Sequence, residues 1–133
     1  MQIKALPIEG SETEGKLDDI AELSLGPSGL RVVIGRLMDD DSYTYLEVFF
    51  SSPRGFRYLD EGDLLRYWRS DELSPRKHSI FEIAAGGWME QERQTAGMLD
   101  TTAAVGWYRE WFIITANGRL NVIAGEPPLL RKI

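Results

Sequence analysis

With 133 residues, 21 acidic against 15 basic side chains and a formal net charge of -6, the chain is long enough to bury roughly two-thirds of its unfolded surface in one core. That charge repels a nucleic-acid duplex. The absence of cysteine excludes disulfides, thiolate nucleophiles, Cys-type zinc sites and iron–sulfur ligation.

No apolar run approaches a membrane span, and the N-terminal residues lack the apolar stretch of a secretory signal. The expectation is a single cytoplasmic domain over 1–133 with no membrane contact. Residues 9–19 combine glycines, small polar groups and carboxylates and read as a mobile acidic loop. Ala21, Leu23 and Leu25 then alternate with Glu22 and Ser24, the two-residue period of a half-buried strand, and Gly26-Pro-Ser-Gly29 turns the chain. A second strand follows with Leu30, Val32, Ile34 and Met38 on one face.

Asp39-Asp-Asp-Ser42 forms an acidic hairpin tip before a third strand, Tyr43 to Phe50. Leu46, Val48 and Phe50 share one side of it; Tyr43, Tyr45, Glu47 and Phe49 share the other, so the second face is aromatic and faces a partner. Phe56 and Tyr58 continue as a short strand. Asp60 or Asp63 is placed to cap a helix whose Leu64, Leu65 and Trp68 form one apolar stripe, ending near Ser70. Ser79 to Ala84 reads as a strand, and Trp88 to Ala96 as a helix closed by Gly97. Tyr108 to Ala124 reads as a hairpin turning at Asn117-Gly118, with the positive φ angles of a type I′ turn. Residues 126–133 are a proline-started tail packing through Leu129 and Leu130. The predicted class is α+β, an antiparallel or mixed sheet of about six strands with two short helices on one face.

Reactive groups are few. His78 is the sole imidazole; Ser79 beside it points to the opposite strand face, and no aspartate is fixed nearby to complete a triad. Asp39 to Asp41 lacks the alternating ligands, glycine and distal glutamate of a calcium loop, and reads as a solvated tip that blunts edge-to-edge aggregation. Neither glycine-rich turn carries the lysine and hydroxyl of a phosphate loop. Trp107, Tyr108, Trp111 and Phe112 read as core material with a share left for an interface. No cofactor, metal or catalytic residue is implied.

Small, cysteine-free, acidic chains with exposed carboxylates and tyrosines resemble the immunity proteins of bacterial toxin systems. The residues carrying this likeness are Asp39, Asp40, Asp41, Tyr43, Tyr45, Glu47, Asp60, Glu61 and Asp63. It rests on overall character and not on an aligned motif. It implies a non-enzymatic domain that blocks a basic toxin by acidic and aromatic contact. Two alternatives stand beside it. One is an accessory or scaffold domain that homodimerises through the Tyr43, Tyr45 and Phe49 face. The other is a hydrolase working with carboxylates alone, which would require a deep pocket holding two of them with raised pKa values.

Overall fold

A computed structural model describes residues 3–60, 77–95, 97 and 99–133 of the chain. Nine strands are present among them: β1 (Lys4–Pro7), β2 (Leu17–Gly26), β3 (Gly29–Leu37), β4 (Tyr43–Phe50), β5 (Pro53–Asp60), β6 (Ile80–Ala85), β7 (Arg109–Ile114), β8 (Gly118–Ala124) and β9 (Leu129–Lys132). Two six-residue helices, α1 (Trp88–Arg93) and α2 (Asp100–Val105), lie between β6 and β7. The strands form two antiparallel sheets, one ordered β1-β6-β7-β8-β5 and the other β2-β3-β4-β9.

The inner faces of the two sheets meet in one core. Leu30, Val32 and Ile34 of β3 and Leu46, Val48 and Phe50 of β4 pack against Ile80, Trp111, Ile113, Leu120, Val122 and Ala124 of the five-stranded sheet. Such burial stabilises by about 1.5–3 kcal/mol for each large apolar side chain. A second cluster lies on the outward face of the five-stranded sheet, where Ile3, Ala5, Phe81, Ile83, Phe112 and Ile114 are buried. Strands β6 to β8 are therefore largely buried on both faces, whereas β4 keeps a clean inside–outside alternation.

The molecule is thus a two-sheet, mainly β structure, which corrects the predicted α+β class with one sheet of about six strands. Three features account for the difference. The helix-forming run from Trp88 is closed at Arg93, with Gln94 as its C-cap, and a helix this short has no stability apart from its tertiary contacts. The acidic segment 9–19 is partly strand: β2 begins at Leu17, Ser11 is fully buried, and Glu12 forms an antiparallel bridge with His78. The tail supplies β9, which pairs with β4 and buries Leu130 against the core while Leu129 points to solvent. The helix predicted around Leu64, Leu65 and Trp68 lies outside the described residues.

The hairpin read from Tyr108 to Ala124 is present as β7 and β8, but its turn is built differently. Neither Asn117 nor Gly118 has a positive φ. Thr115 and Gly118 instead close the turn through their backbone, 3.0 Å apart, and the Asn117 side chain accepts from the Ile20 N–H of β2 at 2.9 Å. Asn117 therefore ties the edge of one sheet to the turn of the other. Between Ile20 and Glu22 the β2–β3 register shifts by one residue, a bulge that lets β2 bend from this tie into its long pairing with β3.

Candidate functional site

The outward face of the four-stranded sheet is where most of the sequence-derived site residues meet. Asp39, Asp40 and Asp41 form the tip of the β3–β4 hairpin, and Tyr43, Tyr45 and Glu47 follow on the outward side of β4. Asp41 takes a left-handed φ of 68°, and the Asp40 carboxylate accepts from both the N–H and the hydroxyl of Ser42. Those bonds hold the Asp40 carboxyl below its ordinary pKa, so the tip is ionised and shaped by its own side chains. Lys16 reaches Asp41 at 2.9 Å.

The tyrosines are stacked, with ring centroids 6.5 Å apart and planes 19° from parallel. Tyr43 is 57% exposed and Tyr45 41%. Tyr45 lies over Gly35 on the neighbouring strand, where an added Cβ would come within 3.4 Å of the ring; the glycine supplies the flat floor on which the ring rests. Leu17, opposite Leu37, and Leu129, opposite Phe49, extend the apolar part of this face.

Glu47 is not available to a partner in the way its sequence position suggests. Arg31 Nε donates to its carboxylate at 2.6 Å and Arg131 Nη2 at 3.2 Å, while Arg31 also meets Glu22 at 2.9 Å. The hydrogen bond from Arg31, with that from Arg131 behind it, lowers the Glu47 pKa. A four-membered chain, Glu22–Arg31–Glu47–Arg131, thus crosses all four strands of the sheet. Asp60 ends β5 in the other sheet, and Glu61 and Asp63 lie outside the described residues.

A second polar centre, invisible as such in the sequence, lies on the outward face of the five-stranded sheet. Glu110 of β7 is 1% exposed. Its carboxylate accepts from the N–H groups of Trp88 and Met89 at 3.1 and 2.7 Å and from Asn121 Nδ2 at 2.8 Å. Burial raises its pKa, against the pull of these donors and of Arg57. Arg57 in turn donates to Asn121 Oδ1 and stacks over Trp88, 5.2 Å from the ring centroid. Gly87, the N-cap of α1, makes the approach possible: a Cβ there would stand 2.7 Å from both Glu110 oxygens. Beside this group is a recess of about 240 Å³ lined by Ile83, Ala84, Ala85, Gly87, Met89, Glu90, Arg93 and Glu110. Glu110 closes the first turn of α1 from a strand, replacing the side-chain cap that Gly87 cannot supply.

Of the remaining candidates, His78 stands 3.8 Å from Glu12 and edge-on to Phe81, a position at a strand bridge. Trp111 and Phe112 are core, whereas Trp107 is 61% exposed and stacks on Tyr108 at 5.2 Å. No group of three or more metal-ligating side chains occurs among the described residues, and none of their helices is long and apolar enough to cross a membrane. Comparison with protein-family models, with curated proteins and with solved structures found no match to this chain.

Proposed function

We propose that this chain is a non-enzymatic protein-binding module that docks its partner on the outward face of the four-stranded sheet, in the manner of an immunity-type inhibitor of a basic toxin. The observation that carries the reading is the adjacency of three hairpin carboxylates, Asp39 to Asp41, to two stacked and solvent-facing tyrosines on the same hairpin. Carboxylates at a rim steer a cationic partner, and tyrosines that lose little entropy on docking serve as anchors. The ion-pair chain Glu22–Arg31–Glu47–Arg131 links the four strands of this sheet.

The carboxylate-hydrolase alternative draws no support from the recess beside Glu110. It contains two glutamates, but Glu110 is engaged by two helix N–H groups and an amide, and Glu90 accepts from the Gly86 N–H. Both carboxylates are thus committed to backbone and amide donors, so the pair of poised carboxyl groups such chemistry needs is not assembled there.

The test is binding to a basic partner, beginning with the product of the adjacent gene. Reversal of Asp39, Asp40 and Asp41 to lysine is expected to slow association at low salt, and Tyr43→Ala with Tyr45→Ala to weaken affinity by about tenfold or more. Both variants retain wild-type folding stability to within roughly 1 kcal/mol, because the altered side chains are exposed. Wild-type binding by both variants would refute the reading. A stable dimer in sedimentation at low concentration, abolished by the tyrosine pair, would replace the foreign partner with a second copy.

A further inference from the structure

Arg36 is the largest oddity in the interior. It follows Leu30, Val32 and Ile34 on the inward face of β3, and it is 3% exposed. Its Nη1 faces Glu14 Oε2 at 3.7 Å, too long for a hydrogen bond. Its Nε and Nη2 are buried and have no acceptor among the described residues. Those two atoms form one edge of the guanidinium, whose parallel N–H groups match the paired oxygens of a carboxylate or phosphate. Buried donors left unmade are rare in folded proteins, and a whole guanidinium edge left so marks a place where an acceptor is expected.

The surroundings fit that acceptor. Arg36 lines a recess of about 180 Å³ together with Glu14, Thr44, Tyr45, Lys132 and Ile133. Thr44 pairs directly with Arg36 across the β3–β4 ladder, and Lys132 pairs with Leu46, two residues further along β4. The period of two therefore turns Arg36, Thr44 and Lys132 to the same side of the sheet, at the end where the core gives way to polar residues. Among the described residues the Thr44 hydroxyl reaches Met38 Sδ, at 3.5 Å, a weak acceptor readily exchanged for a stronger one. Glu14 stands between the two cations, 3.7 Å from Arg36 and 4.0 Å from Lys132, and is itself half-exposed. One loosely held carboxylate thus faces two basic groups without hydrogen-bonding either.

We propose that this recess is a binding site for a small oxyanion, a carboxylate or phosphate group taken by the Arg36 guanidinium and flanked by Lys132 and Thr44, with Glu14, which faces Nη1, as an internal competitor that swings aside. Tyr45 borders both this recess and the tyrosine face, but occupancy of the recess does not depend on the protein-binding reading.

The experiment follows the Arg36 Nε–H resonance by NMR, identified by its loss in Arg36→Lys, during titration with sodium phosphate and, separately, sodium acetate at fixed ionic strength. A saturable shift with either anion, absent with chloride, is expected; which of the two binds tighter names the group the site prefers. Glu14→Gln is expected to tighten binding about threefold by removing the competitor, and Lys132→Ala, a surface change that leaves the fold intact, to weaken it by a similar factor. Arg36→Lys is expected to weaken it about tenfold or more, through loss of the fork. No saturable shift with either anion would overturn the proposal, leaving the guanidinium edge to water alone. So would a response that chloride reproduces, or one unchanged in both Glu14→Gln and Lys132→Ala.

Discussion

Truncating Glu110 to alanine is expected to destabilise the protein by about 2 kcal/mol. The magnitude follows from the three donors that converge on its carboxylate. The bond from Asn121 is fully buried and goes to an ionisable acceptor, worth about 1.5–3 kcal/mol; the two helix N–H groups are partly shielded and worth roughly 0.5–1 kcal/mol each. Against them stands the desolvation of the carboxylate itself, visible as its raised pKa, which alanine relieves by about 1–2 kcal/mol. Urea unfolding followed by tryptophan fluorescence measures the balance, and a melting temperature lower by roughly 8 °C should accompany it. The loss is local in origin, so the amides of Trp88 and Met89 should exchange with solvent faster than those of β8.

The acid dependence of the same group has a definite sign. Its carboxyl is raised in the folded protein above the ordinary value of the unfolded chain, so between the two values the native state holds the extra proton. The contribution of Glu110 to stability therefore declines as pH rises through that window. Glu110→Gln cannot titrate, and the stability of wild type relative to Glu110→Gln should fall across the same interval. A Glu110→Ala protein within about 0.5 kcal/mol of wild type, or a wild-type-minus-Gln difference flat in pH, would refute the argument.

Gly29→Ala should destabilise by about 2 kcal/mol or more, since Gly29 has φ of 140° and its added Cβ would press into the Phe50 carbonyl and stand 2.9 Å from Phe49 Cζ; thermal unfolding checks this, and a neutral result would mean that the β2–β3 turn relaxes freely. Glu47 titrates in the opposite sense to Glu110. Its pKa is lowered by Arg31 and Arg131, so its contribution is present above the ordinary glutamate value and is lost as pH falls through the lowered one. Glu47→Gln should accordingly flatten the acid arm of the wild-type stability profile, and an unchanged acid arm would show that the ion-pair chain contributes nothing to folding.

The inside–outside division of β4 is legible in the amino-acid sequence, because alternation is a property of adjacent residues: Leu46, Val48 and Phe50 are core, and Tyr43 and Tyr45 face solvent. The acidic tip and the β7–β8 hairpin are legible for the same reason. The turn type is not, since Asn117 is used to hold Ile20 across 97 residues of chain, a demand that its local sequence does not carry. Glu110, Asn121 and Arg36 bear no local mark of a site, although Glu110 and Arg36 each interrupt an otherwise apolar strand face; that interruption is the available signal, and it is equally the pattern of a strand end or an edge.

Local periodicity determined that strands would form and which of their faces would be apolar, because side-chain direction in an extended chain repeats every two residues. Only the tertiary structure decided that the strands divide between two sheets. It likewise decided that the outward face of β6 to β8 is buried as well, and that a carboxylate and a guanidinium lie in the interior. Each of those outcomes depends on pairings between distant segments, such as β1 with β6 and β4 with β9, whose free energy comes from surfaces that no short stretch of sequence contains.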